Sequence, residues 1–266
     1  MNELDFVREA LDDLAVFVRT KYASRSTVKI TEKREANDLL TEVDLAVQEE
    51  LVKRITKAYP NDFIAAEEAG FSRLPEDPSV RAWVIDPIDG TQNFVRGLFP
   101  SFGISLALAE GGVPILGGVA VPITGDLFLA QRGSGATRNG EPIHVSAVST
   151  VGLVRAEIDF GGPWDRPGTL AAFDTVIRTA GQIRCHCAAV IGLCSVATGD
   201  MDAYFHVGLN PWDYAAGQVI VEEAGGAVTR LDGTPAYLFD GGHGLLATNG
   251  HVHLNLIDII RPQGDS

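Results

Sequence analysis

Apolar positions along the first half of the chain follow two rhythms. Leu4, Val7, Leu11, Leu14 and Val18 step by threes and fours, which predicts an amphipathic helix over residues 2–22 with Glu3, Arg8, Asp12 and Arg19 outside. Val43, Val47, Leu51 and Ile55 predict a second helix from about Thr41 to Tyr59, closed by Pro60. Shorter apolar runs then take over. Phe63 to Ala66 and Trp83 to Ile85 read as buried strands, each running into acids: Glu67 and Glu68 after the first, Asp86 and Asp89 after the second. Phe102 to Ala109, Val113 to Ile123 and Leu127 to Gln131, separated by Gly-Gly and Thr-Gly-Asp turns, read as consecutive antiparallel strands. Residues 70–80, with Pro75 and Pro78, form a loop, and residues 133–142, with three glycines and a proline, a surface turn.

From Val151 the pattern becomes an alternation of strand and helix. Strands are expected at Leu153 to Ile158, Ile183 to Cys187, Ala203 to Val207, Ala227 to Arg230 and Leu245 to Thr248. Helices are expected near Leu170 to Ala180, Ala188 to Thr198, from Trp212-Asp213 onward, and at Val252 to Ile260. The fold class is therefore α/β, with helices on one large sheet in residues 1–148 and an α/β half in residues 149–266 that completes the site. No internal repeat or long linker divides them.

The chain has 266 residues, 45% of them apolar, and carries a net charge of −14. That charge argues against nucleic acid and anionic membranes as partners, since both are held by Lys and Arg. No apolar run approaches the ~18 residues of a membrane span, and Met1 to Asp5 lack the start of a secretory signal, so a cytoplasmic location is expected. Cys185, Cys187 and Cys194 read as reduced thiols. On a strand Cys185 and Cys187 would share one face with His186 on the other, and their spacing is not that of paired zinc ligands. His251 and His253 are expected in solvent, and the absence of a Gly-x-Ser-x-Gly elbow excludes that kind of hydrolase.

The richest stretch is Trp83-Val-Ile-Asp-Pro-Ile-Asp-Gly-Thr-Gln-Asn-Phe94. Pro87 and Gly90 turn the chain where two carboxylates project, and Thr91 suits the start of a helix whose free N–H groups bind anions. Adjacent aspartates bind hard cations, so the stretch reads either as a capped turn or as a metal-assisted phosphate site. Asp44, in the first turn of an expected helix, reads as a dipole-complementing cap, while Asp213, placed alike, reads either as a cap or, with Glu67, Asp86 and Asp89, as a member of one hard-metal site.

The same stretch resembles the first signature of the inositol monophosphatase family. Trp212-Asp-Tyr-Ala-Ala-Gly217 with Val221-Glu-Glu-Ala-Gly-Gly226 resembles the second. The likeness extends to Asp38-Leu-Leu-Thr-Glu-Val-Asp44, the Tyr59-Pro60 to Glu68 segment, and Gly133-Ser-Gly-Ala-Thr-Arg-Asn-Gly140. It implies a layered α-β-α-β-α sandwich of the sugar phosphatase type, usually dimeric, that hydrolyses phosphate monoesters with Mg²⁺ and is inhibited by Li⁺. It further implies that Glu67, Asp86, the Ile88 carbonyl, Asp89 and Asp213 hold metals, that Asp44 and Thr91 orient and deprotonate the attacking water, and that Gly90 and Thr91 offer N–H groups to phosphate. The five carboxylates exceed the charge of two Mg²⁺ and fall one short of three, so two to three ions are expected, the third arriving with substrate.

The alcohol side departs from the family. Cys187-Ala188-Ala189 stands where Gly-Ser/Thr-Ala is usual, and His206 where a glutamate often binds a sugar hydroxyl. Inositol 1-phosphate is the nominal substrate, with histidinol phosphate, fructose 1,6-bisphosphate and 3′-phosphoadenosine compounds as rivals. A regulatory binding protein of the same fold is the alternative of a different kind. Asp159 to Pro167, with Trp164, is a candidate loop at the pocket rim.

Overall fold

The computed structural model describes residues 2–32, 39–68, 70–77, 79–97, 101–160 and 166–260. Asp38, Pro78 and the centre of the proposed rim loop, including Trp164, lie outside these residues. Helix α1 (Glu3–Ala23) opens on Asn2, whose side chain accepts the Asp5 N–H at 2.8 Å. Strands β1 (Ile30–Glu32) and β2 (Leu39–Thr41) pair antiparallel, and α2 (Glu42–Ala58) follows directly. Next come β3 (Phe63–Ala66), β4 (Arg81–Asp89), the short helix α3 (Thr91–Arg96), β5 (Gly103–Glu110), β6 (Val113–Val121), β7 (Asp126–Gln131), β8 (Ala136–Arg138) and β9 (Glu141–Pro142). These seven strands form one sheet in chain order, parallel only between β3 and β4.

The rest of the chain is β10 (Arg155–Ile158), α4 (Arg166–Thr179), β11 (Gln182–Arg184), α5 (Ala189–Ala197), β12 (Ala203–Leu209), α6 (Pro211–Glu223), β13 (Ala227–Arg230), β14 (His243–Thr248) and α7 (His253–Ile260). Its five strands lie in the order β11-β10-β12-β14-β13. The first three run parallel, while β14 runs antiparallel to both β12 and β13.

Side-chain alternation along the strands stacks these elements in layers. Trp83 and Ile85 face α1 and α2, packing with Phe6, Leu11, Val47 and Leu51, while Val84 between them faces the opposite side. That opposite side packs against α5 and α6 through Leu193, Ala216 and Val219, and the far side of this helix pair meets Tyr204, Leu245 and Ala247 of the second sheet. Phe205 and Leu246, one step along those strands, point outward to Phe173 on α4 and Leu256 on α7. The order is helix, sheet, helix, sheet, helix, the sandwich expected from the motifs.

Close approach in the middle layer depends on glycine. A Cβ on Gly117 of β6 would lie 2.6 Å from the Ala216 carbonyl oxygen of α6, so any larger residue would force the helix off the sheet. Among the described residues no helix is long and apolar enough to cross a membrane.

Four local expectations are corrected. Strand β4 does not stop at Ile85 but continues to Asp89, with a register shift against β5 between Asp86 and Asp89. Pro87 lies inside that shift, where a missing N–H leaves no gap in the ladder. Residues 133–142 are not turn alone, since β8 and β9 extend the sheet edge. The strand expected to reach Cys187 ends at Arg184. His253 is buried, its ring nitrogens 3.0 Å from the hydroxyls of Thr229 and Thr248, because it opens the helix packed beneath β13 and β14.

Candidate active site

The register shift in β4 aims successive side chains into one space. A cleft of about 220 Å³ is lined by Leu39, Glu67, Asp86, Ile88, Asp89, Gly90, Thr91, Gln92, Cys187 and Asp213. Glu67 arrives from the end of β3, where its N–H donates to the Ile85 carbonyl at 3.2 Å. Asp213 arrives from the first turn of α6, closing a capping box in which its Oδ2 accepts the Asn210 N–H at 2.7 Å. Four carboxylates from three separate stretches of the chain therefore meet at one cleft. A smaller cavity of about 170 Å³, lined in part by Asp126, Arg138, Cys194 and Asp200, contains none of them.

Crowding shows in the acidities. Burial, then the charges of Glu67, Asp89, Asp213 and Asp44, push the Asp86 carboxyl well above the usual range. Burial and Asp213 do the same to Asp89, although the Val190 N–H donates to its Oδ2 at 2.7 Å and opposes the rise. Asp86 is 2% exposed, and its Oδ1 is a buried oxygen without a hydrogen-bond partner. A buried carboxylate oxygen without a hydrogen-bond donor, beside three other carboxylates, could hold a hard cation.

Asp44 lies behind the lining, fully buried. It occupies N3 of α2, where Oδ2 accepts the Thr41 N–H at 2.9 Å and also meets the Thr41 hydroxyl. Its other oxygen, Oδ1, accepts from the Thr91 hydroxyl at 2.9 Å, a hydroxyl equally close to the Ile88 carbonyl. Burial raises the Asp44 carboxyl, and its bonds to Thr41 and Thr91 only partly offset this. The local capping role and the link to the site coexist, on different oxygens.

Gly90 is the hinge between strand and helix, at φ +86°. A Cβ there would come within 2.9 Å of the Ser101 carbonyl and 3.0 Å of the Ala188 side chain, so both conformation and space require glycine. Ala188 and Ala189 are buried behind this turn and do not line the cleft. Cys187 does line it. His206 is not among the lining residues, and its Nδ1 accepts the Gly208 N–H at 2.9 Å.

Asn93 carries no signal of its own in the sequence, although it sits inside the richest motif. Its Nδ2 donates to the Ser101 and His186 carbonyls, both at 2.7 Å, tying α3 to the segment that precedes α5. That segment is fastened again by His186, whose Nδ1 lies 2.9 Å from Oε2 of the fully buried Glu157. The Glu157 bond raises the His186 imidazolium above its ordinary value, and burial raises Glu157.

The sequence model of the inositol monophosphatase family matches residues 2–263. A Thermotoga maritima protein named fructose-1,6-bisphosphatase/inositol-1-monophosphatase is 34% identical over 264 residues, covering 98% of this chain and 96% of that protein. The Nus factor SuhB of Haemophilus influenzae is 35% identical over 247 residues, 92% of this chain and 90% of its own. Among solved structures, a Thermotoga maritima IMPase superposes with a TM-score of 0.85 at 33% identity, covering 98% of this chain and 97% of that one.

Proposed function

Because the chain belongs to the inositol monophosphatase family, and is thus a phosphomonoesterase, we propose that it hydrolyses a small phosphorylated alcohol, inositol 1-phosphate in the first instance, with Mg²⁺ as cofactor. The observation that carries this is the convergence of Glu67, Asp86, Asp89 and Asp213 on one cleft, with a buried Asp86 oxygen left for a cation. These residues and the Ile88 carbonyl would hold two to three Mg²⁺. When bound, the ions would supply charge neutralisation for the phosphate and a lowered pKa for the attacking water.

The residues themselves do the positioning and the proton transfer. Thr91 Oγ1 orients the water and takes its proton while passing its own to Asp44 Oδ1, 2.9 Å away. Burial makes Asp44 a stronger base than an ordinary carboxylate. The Gly90 and Thr91 N–H groups stand at the start of α3, where first-turn donors lack intrahelical partners, and they cradle the phosphate. Cys187 faces the alcohol. The same reading makes the enzyme a Li⁺-sensitive cytoplasmic homodimer.

Phosphate release from inositol 1-phosphate, histidinol phosphate, fructose 1,6-bisphosphate and a 3′-phosphoadenosine compound, ranked by kcat/KM at rising Mg²⁺, tests the proposal. Inositol 1-phosphate should rank first, and Asp86→Asn should lower its turnover at least about 10²-fold. A folded protein that releases no phosphate from any of them at any Mg²⁺ concentration would end it. The name of the Haemophilus relative favours a second reading, a regulatory binding role on the same fold. An Asp86→Asn strain that keeps its wild-type phenotype would support that reading.

A further inference from the structure

Beyond the acidic cleft, a second group of ligand atoms gathers at its rim. The Sγ atoms of Cys185 and Cys187 are 3.5 Å apart, and Cys185 Sγ is 3.6 Å from Asp159 Oδ1. Ligand atoms from all three residues lie within 4.8 Å of one another. The sequence pattern suggests a strand with alternating faces, but the strand ends at Arg184 and Cys187 turns to φ +55°. His186, which the pattern also brings to mind, is not in the group, because its ring is bonded to Glu157.

We propose that Cys185, Cys187 and Asp159 form a soft-cation site that takes a zinc-class divalent ion. The distances fit. Tetrahedral zinc with bonds of about 2.3 Å to sulfur and about 2.0 Å to oxygen separates two sulfurs by about 3.8 Å and a sulfur from an oxygen by about 3.5 Å. The donor set also selects the metal, since two thiolates favour a soft ion over Mg²⁺, which requires oxygen ligands.

Asp159 is held for the role. It is 5% exposed, with Oδ1 accepting the Cys187 N–H at 2.8 Å and Oδ2 the Tyr204 hydroxyl at 3.1 Å. Supporting bonds of this kind orient ligands at metal sites. Both thiols are solvent-accessible, so an ion can reach them from outside. On binding, each thiol releases one proton to solvent and the sulfur lone pairs form the metal bonds, with no change in oxidation state. Three protein ligands leave a fourth position open. Cys187 also lines the acidic cleft, so an ion held here sits against the substrate space and blocks turnover.

The test uses the whole protein under a non-thiol reductant and saturating Mg²⁺, titrated with Co²⁺ and then Zn²⁺. Co²⁺ should raise an intense near-ultraviolet sulfur-to-metal band at one ion per chain, and Zn²⁺ should abolish it. Cys185→Ser, a near-isosteric change at a half-exposed position outside the proposed catalytic groups, should lose the band and weaken Zn²⁺ binding at least ten-fold. Cys194→Ser, in the buried core, should keep both. A Co²⁺ complex without the band, or equal Zn²⁺ affinity in Cys185→Ser, would overturn the proposal. Binding that rising Mg²⁺ displaces would assign the ion to the acidic cleft and overturn it equally. Because the readout is metal binding, it stands apart from the outcome of the phosphatase assays.

Discussion

The two walls of the cleft are built in different ways. One, Asp86 to Thr91, is made almost entirely by its own chain: a strand, a register shift at Pro87, a left-handed Gly90 and the first turn of α3. The other presents Cys187 alone to the cleft, on the segment Cys185 to Ala188, which has no regular structure and is held from a distance. Asn93 reaches it from α3, Glu157 and Asp159 from the end of β10, and its Val190 neighbour bonds Asp89. A wall made locally can carry chemistry that tolerates no misplacement. A wall held by scattered tethers is free to vary with substrate, and the departures from the family pattern, Cys187-Ala188-Ala189, fall there.

If that division is right, the largest loss should come from the first wall. Thr91→Val keeps the shape and removes the hydroxyl between Asp44 and Ile88, and kcat should fall about 10²-fold with KM nearly unchanged, measured by steady-state phosphate release. A change confined to KM would place Thr91 on the binding side. Asn93→Ala severs the tether between the walls and leaves two carbonyls without their donor, at a cost of about 1–3 kcal/mol. Its melting temperature should drop and KM rise more than kcat falls. An equal loss in both would show that the second wall also shapes the chemistry.

The smallest effect concerns pH. The Glu157 bond raises the His186 value, so the stability this pair contributes is fully present below about pH 6.5 and is lost as pH rises through the raised value. Melting temperatures of the wild type should decline over that interval, and His186→Asn should flatten that part of the curve. His253 acts in the opposite sense. Burial lowers its value, so its contribution is present above about pH 6.5 and lost on acidification. The two histidines sharpen the contrast between a tethered rim and a closed core.

How far the sequence discloses this follows from the same division. The helices α1 and α2 are visible because each buries one repeating face, and rhythm reports burial, while α6 and β5, buried on both sides, show as nearly continuous apolar runs. The acids of the first wall are visible because turn chemistry singles out Asp, Pro and Gly in order. Asp44 is ambiguous because a capping box and a site residue use the same position, and only the separation of its two oxygens resolves it. The thiol group is obscured because alternation along a strand does not apply once the strand has ended at Arg184. Asp159, its third member, lies 26 residues before Cys185, a distance that no local pattern spans. His253 escapes notice because a histidine near the C-terminus carries no sign that two threonine hydroxyls await it.

The double-sided burial of α6 carries a mechanical consequence. Tyr214 through Val221 are all buried, some against the seven-stranded sheet and some against the five-stranded one, and Gly117 lets the helix sit almost on the backbone of β6. A helix clamped on both sides cannot act as a pivot. Opening and closing around substrate must therefore be local, carried by short segments at the mouth, while the framework that sets the spacing of Asp213 from Asp86 moves as one stiff body.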